Sequence, residues 1–377
     1  MIKEKKNNYD RRKIRILIAP LDWGLGHATR CIPIINELIR IDCEVILAAD
    51  GAVLSLLKKE FPSIKILALK GYKIRYSHKR KWLFLQLFFQ IPKIVWIVFK
   101  EHYWLKKIIK EYKPDIIISD NRLGLYSSGI FSVYITHQLA IKTGNYFLDK
   151  IARQIHCHFI KKYDQCWVPD FQDNGLAGEL SHPKKLPANV VYMGALSRFE
   201  KLPEVNKVYD ILISISGPEP QRTIFENIIF SQLKYNERKI LIVRGLPAQV
   251  DNIKPPNSFT EVINHLSANG LSRAFQQAEI VICRSGYTTI MDLVKINKNA
   301  ILIPTPSQTE QEYLAKYLME KRFFFSIEQH NFVLEKAIND ASFFPFLRLP
   351  NEMEGFKKLL AEFVLSFKSG KLQLNNF

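Results

Sequence analysis

The residues most able to do chemistry gather between positions 278 and 313. There an apolar run at 280–283 breaks at Arg284-Ser285-Gly286, and apolar residues resume at helical spacing through Ile290, Leu293 and Val294. A second apolar run follows at 300–303, so the segment reads as strand, turn, helix, strand. A strand that turns into a helix in this way presents backbone N–H groups at the helix start, which together with the helix dipole suit a diphosphate. Asp292 lies about two helical turns further on. From there a carboxylate reaches vicinal ribose hydroxyls, as acidic residues do in other α/β nucleotide sites. A proline loop at Pro304 then leads to Gln311, Glu312 and Tyr313, and the spelling Thr309-Glu310-Gln311-Glu312 is that of a capping box opening a helix.

A second group lies near the start of the chain. Residues 13–19 read as a strand and 31–39 as an amphipathic helix, and between them runs Pro20-Leu21-Asp22-Trp23-Gly24-Leu25-Gly26-His27-Ala28-Thr29-Arg30. Gly24 and Gly26 let the backbone approach a ligand closely, but G-x-G-H lacks the third glycine of the dinucleotide fingerprint, which disfavours NAD. His27, with an unperturbed pKa near neutrality, suits a base acting on an acceptor hydroxyl or a donor to phosphate, with capping or packing as the alternative. Further strands are expected at 44–48, 64–67, 115–119, 133–136 and 190–193, each ending in a polar loop. Two of these loops carry Ser119-Asp120-Asn121-Arg122 and Thr136-His137-Gln138. Asp120 and His137 are therefore further candidates for the base or for positioning a hydroxyl; pairing of Asp120 with Arg122, or capping, is the structural alternative.

The order Arg284, Ser285, Gly286, Thr289, Ile290, Asp292, followed by Pro304 and Gln311-Glu312-Tyr313, resembles the donor-binding half of the MurG-like GT-B glycosyltransferases, those with a glycosyltransferase family 28 C-terminal domain. The resemblance implies that Asp292 holds the ribose and that Gln311 and Glu312 hold hydroxyls of the donor sugar; Glu312 stands where glutamine is usual. It matches Gly24, Gly26 and His27 to the family's glycine-rich loop. A strand from Tyr209 leads into Ser216-Gly217, like the family's loop beneath the donor diphosphate, although Pro218-Glu219-Pro220 departs from it. Gln221, Arg222 and Thr223 open the next helix and add donors or charge to a phosphate site. Arg244 is a weaker phosphate candidate, and Ile263 and Asn264 fall where the family reads the uracil base through its backbone. The implied architecture is α/β of GT-B type: two Rossmann-like domains facing across a cleft. Residues 1–200 form the acceptor side, 201–350 bind the nucleotide sugar, and a helix in 351–377 packs back on the first domain. The implied reaction moves a hexosyl or N-acetylhexosaminyl group from a UDP-sugar to a hydroxyl of a lipid-linked or cell-envelope glycan acceptor. No D-x-D triplet occurs, so transfer is expected without metal or other cofactor, with helix N-termini and Arg284 or Arg222 offsetting the charge of the leaving diphosphate.

Composition sets the surroundings. The chain has 377 residues, 47% of them hydrophobic, enough for two cores. Its net charge of +18 is concentrated in the first 200 residues, which carry +15. Residues 51–100 alone hold 11 basic residues against one acidic, and residues 79–107 interleave them with aromatic and aliphatic side chains. That pattern predicts contact with an anionic membrane surface; the alternative is two core helices split near Pro92. Gln86, Gln90, Pro92 and Lys93 interrupt the segment too often for a membrane span. Five scattered cysteines without a CxxC pair, and a polar start, predict a cytoplasmic protein, peripheral on the inner face of the cytoplasmic membrane. His156-Cys157-His158 is too tightly spaced for usual metal ligation. Two other classes compete: a UDP-sugar 2-epimerase, which needs no acceptor, and a non-enzymatic lipid-surface or nucleic-acid binding protein. The basic residues form no nucleic-acid motif, so no nucleic-acid partner is expected.

Overall fold

Seven short strands build the first sheet: β1 (Arg15–Pro20), β2 (Glu44–Ala49), β3 (Ile66–Ala68), β4 (Ile116–Asp120), β5 (Phe131–Ile135), β6 (Gln165–Val168) and β7 (Val190–Tyr192). Their order is β3-β2-β1-β4-β5-β6-β7, and every neighbouring pair is parallel. This computed structural model describes residues 12–22, 24–72, 80–142, 146–173, 175–247, 249–251, 253–348, 353–372 and 374, with the side chains of 80–91 and 146 excepted. The strand sequences, such as RILIAP and IIISD, are apolar almost throughout because helices cover a parallel sheet on both faces. Those helices include α1 (Gly26–Arg40), α2 (Gly51–Glu60), α3 (Arg80–Tyr112) and α4 (Tyr146–Ile160).

The second sheet contains β8 (Tyr209–Ser214), β9 (Ile240–Val243), β10 (Thr260–Ile263), β11 (Ala278–Cys283), β12 (Ile301–Leu302) and β13 (Phe325–Ser326), in the order β10-β9-β8-β11-β12-β13, again all parallel. Five helices accompany it: α5 (Gln221–Leu233), α6 (Ala268–Gln277), α7 (Tyr287–Lys295), α8 (Thr309–Glu320) and α9 (Leu334–Ser342). Ile211, Ile213, Ile240, Ile242, Ile282 and Ile301 pack with Phe225 and Phe332 into its core. The last helix, α10 (Gly355–Lys368), belongs to the first unit, where Phe363 meets Trp167 edge-on at 4.9 Å and Phe131 at 5.5 Å. The chain thus divides into two units, residues 1–175 with 179–196 and 352–377, and residues 176–178 with 197–351.

Several elements differ from the sequence reading, among them the short strands β10 and β13, which it did not anticipate. Helix α1 begins at Gly26 rather than near residue 31, which puts both His27 and Arg30 in its opening turns. Helix α3 runs unbroken through Pro92, although a proline there removes one i→i−4 hydrogen bond, and Ile97, Val98, Leu105 and Ile108 seat it on the sheet. Strand β6 joins the sheet beside β5, although QCWV is too short to show an apolar period.

Both sheets reverse their direction of growth once. In the first, the chain moves outward from β1 through β2 to β3 and then returns to place β4 on the other side of β1; in the second, β8 and β11 are related in the same way. At such switch points the loops leaving adjacent strands diverge and open a crevice beyond their carboxyl ends, where α/β proteins bind ligands.

Candidate functional site

At the first switch point a polar cluster joins the two diverging loops. Pro20 and Asp120 are register partners at the ends of β1 and β4, so the residues just beyond them meet. Asp120 is fully buried and accepts from Arg30 Nε at 2.8 Å and from Arg30 Nη2. Arg30 Nη1 lies 2.9 Å from His137 Nδ1, and Arg30 Nη2 lies 2.6 Å from His27 Nδ1. His27 Nδ1 is also 3.2 Å from Asp120 Oδ1, and the Cys31 thiol sits 3.5 Å from Asp120 Oδ2. His27, Asp120 and His137, singled out separately in the sequence, therefore belong to one cluster. Its organiser, Arg30, was not singled out; its spacing of three from His27 on a helix was the available signal.

Burial raises the cost of ionising Asp120, but Arg30 and then His27 outweigh it and hold the carboxyl well below the usual range. Burial and the Arg30 charge lower the pKa of His27, against a smaller opposing pull from Asp120. Gly24, at φ 76°, supplies the left-handed turn that lets the loop enter α1, and Gly26 is the first helical residue. Asp120 does not pair with Arg122. Asn121 takes φ 56° between them, and Arg122 turns away to Pro20 O at 2.9 Å and Glu101 Oε1 at 2.8 Å. Glu101 on α3 also accepts from Tyr72 Oη at 2.8 Å and from Gly124 N at 3.1 Å, so α3 clamps the loop that follows Asp120.

The second switch point lies between Ser216-Gly217, after β8, and Arg284-Ser285-Gly286, after β11. Gly217 adopts φ 105°, a conformation that a side chain would strain, and a Cβ there would come within 3.3 Å of Thr305 Oγ1. Gly286 is the N-cap of α7 and makes no side-chain cap bond to that helix start. Thr289 lies half-buried in the first turns, and Ser285 donates to Gln311 O at 2.9 Å. Arg284 is buried and aims its five N–H groups at Ser216 O, Ile303 O, Pro304 O, Gln221 O and Gln329 Oε1, the last at 2.7 Å. Its guanidinium stacks over Phe225 at 4.3 Å, and burial pushes its pKa down to about 9. With its donors committed to loop oxygens, Arg284 fixes the loops that meet at this switch point. Arg222 is likewise engaged, with Glu219 at 2.5 Å and Glu226 at 2.9 Å. Arg244 shares Glu226 at 2.8 Å and donates to Asn264 Oδ1 at 2.8 Å. One buried carboxylate, Glu226, is thus shared by two arginines, with Glu219 as the second counter-ion of Arg222; nothing in the local sequence marked Glu226.

The remaining positions are held by their own surroundings. Ile263 O accepts from Arg244 N at 2.9 Å and Asn264 O from Leu246 N at 2.8 Å, continuing the sheet where base recognition was expected. Asp292 is buried; Oδ1 accepts from Ser197 Oγ at 2.7 Å, and Oδ2 lies 3.5 Å from Arg198 Nε. Burial raises its pKa despite the Arg198 charge. The capping box is displaced: Gln308 is the N-cap of α8, and Thr309 is already helical. Gln311 folds back to accept from Thr305 N at 3.0 Å and to donate to Gln308 Oε1 at 2.5 Å, while Glu312 accepts from Ser307 N at 2.9 Å. Both side chains stabilise the 305–308 loop.

The 79–107 segment falls partly outside the described residues, which leaves Lys79 and the side chains of Arg80 and Lys81 undescribed. In the described part, α3 exposes Val95, Trp96, Phe99 and Tyr103, with Phe99 71% exposed, and Lys100 lies over the Trp96 ring at 3.5 Å. Helix α4 exposes a second stripe: Phe147, Leu148, Ile151 and Ile155. No helix among the described residues is long and apolar enough to cross a membrane. Of the 156–158 run, His156 is buried against Tyr134 and its pKa is pushed down to about 4 by burial, whereas His158 is exposed.

Residues 231–349 match the glycosyltransferase family 28 C-terminal domain. The chain is 24% identical over 262 residues to the UDP-N-acetylglucosamine–N-acetylmuramyl-(pentapeptide) pyrophosphoryl-undecaprenol N-acetylglucosamine transferase of Actinobacillus pleuropneumoniae, across 64% of this chain and 67% of that protein. Other relatives of that name are spanned over 64% of their length. Among solved structures, the kitacinnamycin glycotransferase superposes with a TM-score of 0.60 at 12% identity, covering 95% of this chain and 96% of that one. Acinetobacter baumannii MurG superposes with a TM-score of 0.51 at 14% identity, covering 97% and 96%. Two parallel Rossmann-like units, the family 28 C-terminal domain within the second of them and these relatives agree: the chain is a glycosyltransferase of the GT-B fold, with a family 28 C-terminal domain and similarity to MurG-like enzymes.

Proposed function

We propose that the protein transfers a hexosyl or N-acetylhexosaminyl group from a UDP-sugar to a hydroxyl of a lipid-linked or cell-envelope acceptor, without a metal ion. The observation that carries this reading is the pairing of two equipped switch points. The second unit offers the start of α7 at Gly286, whose N-cap makes no side-chain cap bond, and the Ser216-Gly217 loop, inside or next to the family 28 match. The first offers the Arg30–Asp120–His27–His137 cluster, in which His27 retains 15% side-chain exposure and Asp120 none. Donor binding belongs to the former and the acceptor side to the latter. Asp292 holds the ribose by exchanging its Ser197 contact, and Gln311 and Glu312 hold sugar hydroxyls by exchanging their contacts with the 305–308 loop. Arg222 and Arg244, paired with Glu219 and Glu226, brace the loops on the phosphate side.

The acceptor class rests on the exposed stripes of α3 and α4. Exposed aromatic and aliphatic side chains at one-face spacing, on a unit with a large basic excess, suit insertion of apolar groups among anionic headgroups. Such contact makes the protein peripheral on the cytoplasmic face of the membrane. The test is UDP release from a panel of UDP-sugars in the presence of a chelator, with and without lipid-linked acceptors in anionic vesicles. Release that requires both a sugar nucleotide and an acceptor supports the proposal. Conversion of the sugar without any acceptor replaces transfer with epimerisation, and no turnover of any donor rejects the enzyme reading.

A further inference from the structure

Arg30 is the residue of the first cluster that the sequence reading did not single out. A guanidinium carries five N–H donors, accepts nothing and stays protonated in proteins. Here it reaches three partners from three elements: Asp120 at the end of β4, His137 in the loop after β5, and His27 one turn before it on α1. The contact to His27 has a consequence for the imidazole. A nitrogen that lies 2.6 Å from an arginine N–H must present a lone pair, so a neutral ring carries its proton on Nε2. The alternative places the proton on Nδ1, facing Asp120 Oδ1 at 3.2 Å, and then sets two N–H groups against each other at the shorter distance. His137 meets the same guanidinium through Nδ1 at 2.9 Å and is constrained in the same sense.

We propose that Arg30 is a positioning residue that locks His27 as its Nε2–H tautomer, so that His27 offers a hydrogen-bond donor, not a proton-accepting lone pair, to a phosphate oxygen of the substrate. The inference rests on the reading above that His27 faces the reactants. The charged and titratable groups facing His27 are Arg30 on α1, Asp120 from β4 and His137 from the loop after β5, with the Cys31 thiol turned to Asp120. Burial and the Arg30 charge favour the neutral ring, which is the form the lock requires. Asp120 is then the counter-ion of Arg30, and the arrangement differs from a histidine–aspartate dyad, in which the carboxylate accepts a hydrogen bond from Nδ1–H and leaves the Nε2 lone pair as base.

The experiment is a long-range ¹H–¹⁵N correlation spectrum of the full-length protein with labelled histidine near pH 7.5. The His27 signals are identified by their loss in His27→Asn. The expected result is a protonated Nε2 and an unprotonated Nδ1; a protonated Nδ1 overturns the lock. In Arg30→Gln the proton is expected to move to Nδ1, against Asp120, and an unchanged tautomer in that folded variant also overturns it. Should Arg30→Gln fail to fold, the wild-type spectrum alone decides. Addition of inorganic pyrophosphate is expected to shift the Nε2–H resonance while Nδ1 stays unprotonated, and a resonance indifferent to bound pyrophosphate overturns the donor role. Because the tautomer is read without substrate, failure of the transferase reading, seen as absent UDP binding or turnover, is distinguishable from failure of the lock.

Discussion

Replacing Asp120 with asparagine keeps the shape of the side chain and removes its charge. In the folded protein Asp120 is fully buried and receives two guanidinium N–H groups of Arg30, itself buried; asparagine offers one oxygen and turns an NH₂ toward a donor. Arg30 keeps its contact with His137 but loses its counter-ion, and breaking a buried pair from one side costs about 3–5 kcal/mol. The five tryptophans, Trp23, Trp82, Trp96, Trp104 and Trp167, all precede residue 170, so intrinsic fluorescence follows unfolding of the first unit alone. At an m-value of about 2 kcal/mol/M, the urea midpoint should fall by roughly 1.5–2.5 M. The acid dependence supplies a second sign. Because the folded pKa of Asp120 is depressed, its stabilisation is present above the unfolded carboxylate value and is lost as pH falls through the folded one. The wild type should therefore lose more stability than Asp120→Asn on acidification from pH 5. A folded variant with a midpoint shift under about 0.5 M would refute the assignment of Asp120 to Arg30.

Other outcomes follow from the same contacts. Asp292→Asn should weaken UDP binding about 10- to 100-fold, the loss of one or two charge-assisted hydrogen bonds, with the circular dichroism spectrum unchanged; unaltered affinity removes Asp292 from the ribose site. Arg284→Met strips donors from five oxygens and should cost about 2–4 kcal/mol, read as a lower melting temperature together with lost UDP binding. Phe99→Ser combined with Phe147→Ser should weaken sedimentation with anionic vesicles at least about tenfold, since burying each ring is worth about 1.5–3 kcal/mol. For turnover that needs neutral His27, activity should persist as pH falls to below 6.5, because the folded pKa lies under that ordinary value; an acid limb above it contradicts the cluster geometry.

The second unit was the more legible in sequence because its site is local. Strand β11, the Arg284-Ser285-Gly286 turn and α7 follow one another without interruption, so the apolar period and its break reveal the turn directly. What the side chains do there was not local. Arg284 looks like a phosphate ligand in sequence, yet its partners lie 19 to 68 residues away, across three loops. Asp292 likewise meets Ser197, 95 residues before it. In the first unit, His27, Asp120 and His137 were visible as polar residues closing strands, but their assembly depends on β1 and β4 being neighbours, which no local pattern encodes. Starting α1 at residue 31 hid Arg30, because the helical phase of Gly26 to Arg30 is masked by small and polar residues. Adjacency in sequence misled at Arg122: a left-handed Asn121 sends it away from Asp120 and onto Glu101.

The most direct test of the central claim is calorimetric titration of the full-length protein with UDP, in magnesium and again in excess chelator. Binding in the micromolar range, about −8 kcal/mol, that is indifferent to the chelator is the predicted result for a donor site built from the Ser216-Gly217 loop and the α7 helix start. Absence of binding, or binding that disappears with the metal, contradicts it.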